Sequence, residues 1–352
     1  MSDTTRFFLL ALLSGLIAFT AIYFYRDARL NNQNAFVPDE ESGRAVVLLY
    51  ENTDLDGLIE ILSVLGVSYN ETELRWASDI LGYRRFLRGR YELNDPSSYD
   101  QFLAPITRGE EDPLNVIVHP GMTYDRFYQR IANQFSFEAD ELRELMQDED
   151  FIREELGLDP HLLFGRMIPN TYQMFWTISP QQFLNRMLTE FDRVVTRMEE
   201  QIEESGLNVD EVITFASIVE LEARYDHEKP KISGLYWNRL NSRWRMQADP
   251  TVSYALGERR RLTFADYRFS HPYNTYQIHG LPPGPITNPS ISSIRAVLNP
   301  ESHDYMFMVA TPEGTHAFTR TLAEHRVESE KWRTWLREQR RLREERERLD
   351  SN

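Results

Sequence analysis

The stretch FASIVELEA, residues 215–223, places two glutamates at the end of an apolar run. Residues 210–222 predict a helix that is apolar nearly all round, with Asp210 as its N-cap. Such a helix is buried, and a carboxylate is rarely buried without a partner or a chemical task. Because burial raises the pKa of a carboxylic acid, we expect Glu220 to leave this helix towards a cleft with the raised pKa that a general acid needs.

A buried ion pair is the alternative explanation for Glu220. Its candidate partners are Arg224, one turn further along, and Arg239 in the segment NRL. Glu222 lies about 200° around the helix from Glu220, at 100° per residue, so the two cannot share one wall of a cleft. We therefore expect Glu222 to support the site as a structural acid.

Two later segments have the composition of rigid cleft walls. Residues 246–256, MQADPTVSYAL, and residues 271–300 are rich in Pro, Gly, Asn and Tyr. Pro fixes the backbone, Gly permits close approach, and Tyr and Asn offer stacking faces and hydrogen bonds, which suits the binding of sugar rings. Asp249 and Asn274 are the polar groups that we place in such a cleft, with a turn-stabilising role as the alternative for each.

The N-terminus predicts a membrane anchor. Residues 7–25 carry no charge and are bracketed by Arg6 and Arg26. Nineteen residues at a rise of about 1.5 Å each nearly match the roughly 30 Å hydrocarbon core of a bilayer. A cleaved signal peptide is the alternative, because residues 18–21 include small side chains.

Length and composition limit the possible functions. The chain has 352 residues, a net charge of −16 and no cysteine. The negative charge argues against a nucleic-acid partner, and the lack of cysteine excludes disulfides, thiol catalysis and thiolate metal sites. The chain contains neither an HExxH nor a G-x-S-x-G motif, and we expect no metal and no cofactor.

Three related segments follow the anchor. SSYDQFLAPI (97–106) and MTYDRFYQRI (122–131) match at Tyr-Asp-x-Phe and at the final Ile, and TDLDGLIEIL (53–62) is a looser copy. Each predicts a strand, a turn, a Ser, Thr or Asp cap and an amphipathic helix. The units resemble LysM-like modules, which bind glycan, although a generic module without a ligand is an equally good explanation.

The fold class is therefore α+β. The expected order along the chain is a cytoplasmic tail (1–6), a transmembrane helix (7–25), a polar linker (26–45), LysM-like strand–helix modules (46–160), a catalytic domain (161–330) and a charged C-terminal helix (331–352).

Five motifs, in order, carry a resemblance to a known family: ASIVELE (216–222), YWNRL (236–240), MQADPTVSYAL (246–256), YNTYQIHGLPPGPITNP (273–289) and YMFMVATPEGTHAFTRTLAEH (305–325). The chain resembles the MltG-type (YceG-like) endolytic murein transglycosylases, densely from about 212 to 326. It departs from the family pattern at Phe164, where the family has Glu, at Asn170, where it has Asp, and at Ser290, where it has Gly. Asn170 keeps the hydrogen-bonding shape of the family's Asp but lacks its charge.

The resemblance implies a single-pass protein of the inner membrane whose catalytic domain lies in the periplasm. The family cleaves the MurNAc–GlcNAc β-1,4 bond within peptidoglycan glycan strands, and the implied partners are these strands, membrane lipid and the peptidoglycan synthases. The family's catalytic glutamate, in its ASIVE motif, falls on Glu220.

A lytic transglycosylase needs only one acid, because the C6 hydroxyl of the substrate attacks C1 and yields 1,6-anhydroMurNAc. We expect Glu220 to protonate the leaving oxygen and then to accept the proton of that hydroxyl. One alternative is a hydrolase that uses Glu220 and Asp249 as its two carboxylates; another is a non-catalytic anchor that binds glycan or recruits synthases. The candidate substrate-binding residues are Gln247, Asp249, Tyr273, Asn274 and Thr275.

Overall fold

The computed structural model describes residues 3–38 and 43–350. Residues 1–2 of the expected tail, 39–42 of the expected linker and 351–352 at the C-terminus lie outside the described residues. The chain divides into two compact units, each described by itself below. The first comprises Met1–Val116, Gln134–Ser136 and Gln173–Ile178, and the second comprises Ile117–Asn133, Phe137–Tyr172 and Ser179–Asn352.

The chain begins with α1, Asp3–Leu30, a helix whose apolar side chains are exposed. By length and composition it could cross a membrane. It extends beyond the predicted span of residues 7–25. Near its end, Arg29 pairs with Glu73 at 2.8 Å, and its guanidinium carbon lies 3.7 Å from the centroid of the Trp76 ring. The predicted linker is also shorter than expected, since the fully buried Phe36 already belongs to a strand of the first unit.

The first unit contains two of the three repeats, and each forms the predicted strand and helix. The helices begin after the predicted caps: the side chains of Asp54 and Ser98 accept hydrogen bonds from Gly57 N and Gln101 N. The strands pair antiparallel, β1 (Phe36–Val37) with β3 (Ser68–Tyr69) and β2 (Ala45–Leu49) with β4 (Gly89–Leu93). They lie over a core that includes Phe36. The elements after α1 are β1 (Phe36–Val37), β2 (Ala45–Leu49), α2 (Leu55–Val64), β3 (Ser68–Tyr69), α3 (Glu71–Leu81), β4 (Gly89–Leu93) and α4 (Tyr99–Arg108).

The third repeat forms β5 (Leu114–Val118) and α5 (Tyr124–Ala132), again with the predicted cap, Thr123. β5 pairs with β6 (Asn170–Met174), and the chain passes from one unit to the other within these two strands. α5 thus belongs to the second unit, whereas α2 and α4 belong to the first.

The second unit is built around α10, Val209–Glu222. All side chains from residue 212 to residue 219 are buried, as the sequence predicts. The N-cap is Asn208 rather than Asp210, because Asp210 lies in the first turn and pairs with Arg166 at 2.8 Å. The remaining elements are α6 (Ala139–Gln147), α7 (Glu149–Glu154), α8 (Pro180–Thr196), α9 (Glu199–Ser205), α11 (Lys229–Asn241), α12 (Asp249–Leu256), α13 (Ile291–Leu298), β7 (Phe307–Ala310), β8 (His316–Thr319) and α14 (Leu322–Asp350).

Candidate active site

The second unit contains a cavity of about 1340 Å³. Its border is formed by the end of α10, by α12, by the loop 257–265 that follows α12, and by Trp332, Arg333 and Leu336 of α14. The acids on this border are Asp125, Glu222, Asp249 and Glu258.

Glu222, at the last turn of α10, is the acid whose properties fit proton transfer. Its Oε1 accepts a hydrogen bond from the buried hydroxyl of Tyr236 at 2.8 Å. Burial raises the pKa of Glu222 to about 7, and the nearby charge of Asp249 acts in the same direction. The raised pKa allows this carboxyl group to be protonated near neutral pH, next to an open cavity.

Glu220 is in a different environment, against the start of α13. Its Oε2 accepts hydrogen bonds from the backbone N of Ser290 at 2.9 Å, from the hydroxyls of Ser290 and Ser293, and from Lys229 Nζ at 3.1 Å. Burial acts to raise its pKa, but these donors and the charge of Lys229 outweigh it and lower the pKa below the ordinary value. The expectation of a raised pKa at Glu220 is therefore wrong.

The alternative explanation for Glu220, a buried ion pair, describes its surroundings, although the partner is Lys229 rather than Arg224 or Arg239. The Arg239 guanidinium instead donates to the carbonyl oxygens of Met246 and Met306. Residues 220 and 222 do point in different directions, as the helical geometry requires. Of the two, it is Glu222 that borders the cavity. The supporting role expected for Glu222 stays a prediction, and its hydrogen bond to the buried Tyr236 is compatible with that role.

Among the predicted substrate-binding residues, Asp249 borders the cavity and is exposed. It is the first residue of α12, and its two oxygens accept hydrogen bonds from the hydroxyls of Tyr276 at 2.7 Å and Tyr267 at 3.3 Å. These two rings pack together with centroids 4.5 Å apart. The arrangement leaves Asp249 accessible to a ligand while its orientation is fixed.

The structure places Asn274 and Thr275 inside the protein. Asn274 is fully buried, and its Nδ2 donates to three carbonyl oxygens of residues 266, 267 and 269. Thr275, also fully buried, accepts from Ala248 N at 2.9 Å and shares a hydrogen bond with Thr251. Both side chains hold loops in place, and neither is available to a sugar. For Asn274 this is the turn-stabilising role that the sequence offered as the alternative.

Tyr273 and Gln247 occupy supporting positions. Tyr273 is 9% exposed and packs beside Tyr254, which borders the cavity. Gln247 has a φ of 54°, an unusual value for a residue other than glycine, and its backbone N donates to Thr275 O at 3.2 Å. Its side chain accepts a hydrogen bond from Trp244 at 3.4 Å.

The three departures from the family pattern have distinct surroundings. Phe164 is buried and stacks on Tyr124 with ring centroids 4.1 Å apart. Asn170 is exposed at the start of β6. Ser290 is the N-cap of α13, and its hydroxyl donates to Glu220, so the change from Gly to Ser adds a donor to the Glu220 cluster.

Sequence reasoning missed two features of the cavity. Three consecutive arginines, Arg259, Arg260 and Arg261, border it, as does Trp332 in the C-terminal helix. A run of three positive charges in a chain of net charge −16 was the available signal for the arginines.

Comparisons with known proteins agree on one family. The family model described as "YceG-like family" matches residues 47–331. An endolytic murein transglycosylase of Bacillus subtilis is 27% identical over 323 residues, which cover 87% of this chain and 90% of the relative. An endolytic murein transglycosylase of Streptococcus pneumoniae is 27% identical over 259 residues, covering 65% of this chain and 47% of the relative.

A solved structure gives the same result. The crystal structure of a YceG-like protein from Listeria monocytogenes, 28% identical in sequence, superposes with a TM-score of 0.55 and covers 80% of this chain and 98% of that chain. Because the family model spans most of the sequence, the assignment does not depend on any single motif. The chain belongs to the YceG-like family.

Proposed function

We propose that this chain is an endolytic peptidoglycan lytic transglycosylase that cleaves MurNAc–GlcNAc β-1,4 bonds within nascent glycan strands. Family membership and the names of its relatives support this activity. The observation that carries it is Glu222, an acid of pKa about 7 on the border of a cavity that also presents Asp249 and Tyr254. The products would be strands ending in 1,6-anhydroMurNAc, so that the enzyme terminates strand elongation.

In the proposed reaction, protonated Glu222 donates its proton to the glycosidic oxygen as the bond from that oxygen to C1 breaks. The C6 hydroxyl oxygen of the same MurNAc forms the new bond to C1, and its proton passes to the Glu222 carboxylate. The acid is thereby regenerated and no water is consumed. A pKa near the working pH serves both halves of this cycle, because the group must give a proton and take one back.

Glu220 fits this role less well than Glu222. An ionised carboxylate with four hydrogen-bond donors, one of them the buried cation Lys229, has no proton to give at neutral pH. The assignment of the family's catalytic glutamate to Glu220 remains a prediction, and the same experiment tests it against Glu222.

The experiment compares wild type, Glu222→Gln and Glu220→Gln as full-length proteins in detergent, acting on uncross-linked glycan strands. We expect Glu222→Gln to lose about 10²–10⁴-fold in rate. Glu220→Gln should retain measurable turnover at a temperature where it is folded. If Glu220→Gln is folded but inactive and Glu222→Gln is active, the catalytic acid is Glu220, as the resemblance implies, and our assignment of Glu222 is wrong.

A hydrolase is the second candidate, because Asp249 borders the same cavity as Glu222 and could serve as a second carboxylate. Mass spectrometry of the products separates the two reactions. Hydrolysis adds a water and leaves a reducing end, whereas transglycosylation leaves anhydro ends. A non-catalytic anchor, the third possibility raised by the sequence, would release neither product.

We further propose that α1 anchors the protein in the inner membrane as a single span, with both units in the periplasm. Membrane fractionation with protease protection tests this.

We also propose that the strand–helix modules of the first unit are LysM-like and bind glycan. Retention of the full-length protein on insoluble peptidoglycan tests this, with a variant altered in the first unit as comparison. Synthases are the expected protein partners, and co-purification from the membrane tests this.

A further inference from the structure

The loop 257–265 brings three arginines to the border of the cavity. Gly257, at a φ of 69°, ends α12 in a left-handed conformation and turns the chain into this loop. The loop therefore begins directly after the helix that carries Asp249.

Asp266 fixes the conformation of this loop. Its carboxylate accepts hydrogen bonds from both terminal nitrogens of Arg260, at 2.8 Å and 2.9 Å, and from the backbone N and hydroxyl of Thr263. These bonds hold the pKa of Asp266 well below its usual range. Arg260 therefore helps to hold the loop in one conformation, and this loop positions its neighbours Arg259 and Arg261.

Among the residues that the structure describes, Arg259 and Arg261 differ from Arg260 in having no acidic partner. Arg259 donates one N–H to the carbonyl oxygen of Gly121 at 3.3 Å, and in the described part of the chain its other four donors have no partner. Within residues 3–38 and 43–350, the guanidinium of Arg261 has neither a hydrogen-bond nor an ion-pair partner, and the residue is exposed.

The acids on the same border do not neutralise these two arginines. Glu258 pairs with Arg260 at 2.9 Å, and Asp125 pairs with Arg143 at 4.0 Å. Asp249 accepts from two tyrosines, and Glu222 accepts from Tyr236. The cavity therefore has an acidic part, suited to the sugar and its glycosidic bond, and an unneutralised basic part formed by Arg259 and Arg261. Planar guanidinium groups without a partner are suited to bind carboxylates, in bidentate fashion where geometry allows.

We propose that Arg259 and Arg261 form a carboxylate subsite for the peptide stem carried by MurNAc, so that the enzyme prefers strands whose stems carry free carboxylates. This inference rests on the proposed function, because it assigns the rest of the same substrate. The volume of the cavity supports it: about 1340 Å³ exceeds the roughly 300–1,000 Å³ of an ordinary small-ligand pocket and leaves room for a peptide beside the sugars. In intact strands the stem supplies the free carboxylates, because the lactyl carboxyl of each MurNAc is tied up in the amide bond to its stem.

The test measures kcat/KM of the full-length protein in detergent on two substrates. One is uncross-linked glycan with intact peptide stems, and the other is the same material after carbodiimide coupling to ammonia has turned the stem carboxylates into neutral amides. Removing the stems with an amidase is unsuitable, because it would expose the lactyl carboxylate of every MurNAc. We expect wild type to favour the carboxylate-bearing strands by about 10-fold, and this ratio to fall as salt is raised. Arg259→Gln/Arg261→Gln should bring the ratio close to one, and Arg261→Gln alone should lower it part of the way.

The matched control is Arg268→Gln/Arg340→Gln, which removes the same charge from two exposed arginines outside the cavity border. It should keep the wild-type ratio. A wild-type ratio of one, or a ratio that survives Arg259→Gln/Arg261→Gln, overturns the subsite while leaving the proposed function intact. Cleavage of neither substrate by wild type would overturn both proposals. Arg261→Gln removes an exposed group that has no hydrogen-bond or ion-pair partner among the described residues, so its result does not depend on how the double variant folds.

Discussion

The Nζ atom of Lys229 lies 3.1 Å from Oε2 of Glu220, and the two side chains are only 4% and 9% exposed. Lys229 also donates to the hydroxyls of Ser290 and Ser292 and pairs with Asp226 at 2.7 Å. This cluster joins the end of α10 to the starts of α11 and α13. The ion pair thus fixes the last turn of α10, which is the turn that presents Glu222 to the cavity.

The first prediction concerns this ion pair. Lys229→Met should lower the free energy of unfolding by about 3–5 kcal/mol, because it leaves a buried carboxylate without its cation. Urea denaturation of the variant measures this loss. Lys231→Met is the control, since Lys231 pairs with Glu301 at 3.4 Å on the surface and should cost less than about 1 kcal/mol.

A double-mutant cycle extends this test. Lys229→Met/Glu220→Gln should be less destabilised than the sum of the two single changes, because neutralising Glu220 removes the uncompensated charge. Strict additivity would mean that the two residues do not interact energetically in solution.

The second prediction concerns the serine that replaces the family's glycine. Ser290→Ala removes both an N-cap and a hydroxyl donor to the Glu220 carboxylate. We expect a loss of about 2–4 kcal/mol, the sum of a cap and a charge-assisted hydrogen bond. Ser179→Ala, which removes an N-cap of α8 that serves no carboxylate, should cost only about 1 kcal/mol. Equal losses in the two variants would argue against a stabilising bond to Glu220.

Local features of the fold could be predicted from the sequence. The caps at Asp54, Ser98 and Thr123 are set by residues within one turn of each other, and the structure confirms all three. The burial of α10 also follows from its composition, because a helix without a polar face has no side to present to water. These features depend on spacing within one segment.

The surroundings of the two glutamates could not be predicted in this way. Helical geometry separates Glu220 from Glu222, but it does not say which of them meets the cavity. The donors to Glu220 come from α11 and α13, and Ser290 is 70 residues away in the chain. The pKa of each acid is set by partners that only the tertiary packing brings together, so the sign of the shift at Glu220 came out wrong.

The third prediction is that the two glutamates affect stability with opposite pH dependence. The pKa of Glu220 is lowered in the folded state, so its contribution is present above the unfolded value near 4.5 and is lost as pH falls through the folded pKa. The pKa of Glu222 is raised to about 7, so the folded protein loses stability as pH rises from about 4.5 to 7.

Urea denaturation across pH measures both slopes. Glu222→Gln should remove the loss between about pH 4.5 and 7 and should be the more stable protein above pH 7, by a few kcal/mol at most. Glu220→Gln should instead flatten the acid limb and be less stable than wild type at neutral pH. The same titration should appear in activity, with wild-type kcat/KM falling above about pH 7 as Glu222 loses its proton.

The last prediction separates a residue that holds the fold from one that meets the substrate. Asn274→Ala leaves three backbone carbonyl oxygens without their donor inside the protein, so it should cost about 2–3 kcal/mol of stability. Asp249→Asn changes an exposed group on the cavity border and should alter stability by less than about 1 kcal/mol.

Glycan cleavage should respond in the opposite order, with a large loss of kcat/KM for Asp249→Asn and a change of a few-fold for folded Asn274→Ala. Thermal denaturation and product analysis on the same preparations check both halves. A stable but inactive Asn274→Ala would return Asn274 to the substrate-binding set that the sequence indicated, because loss of loop packing alone would lower the melting temperature.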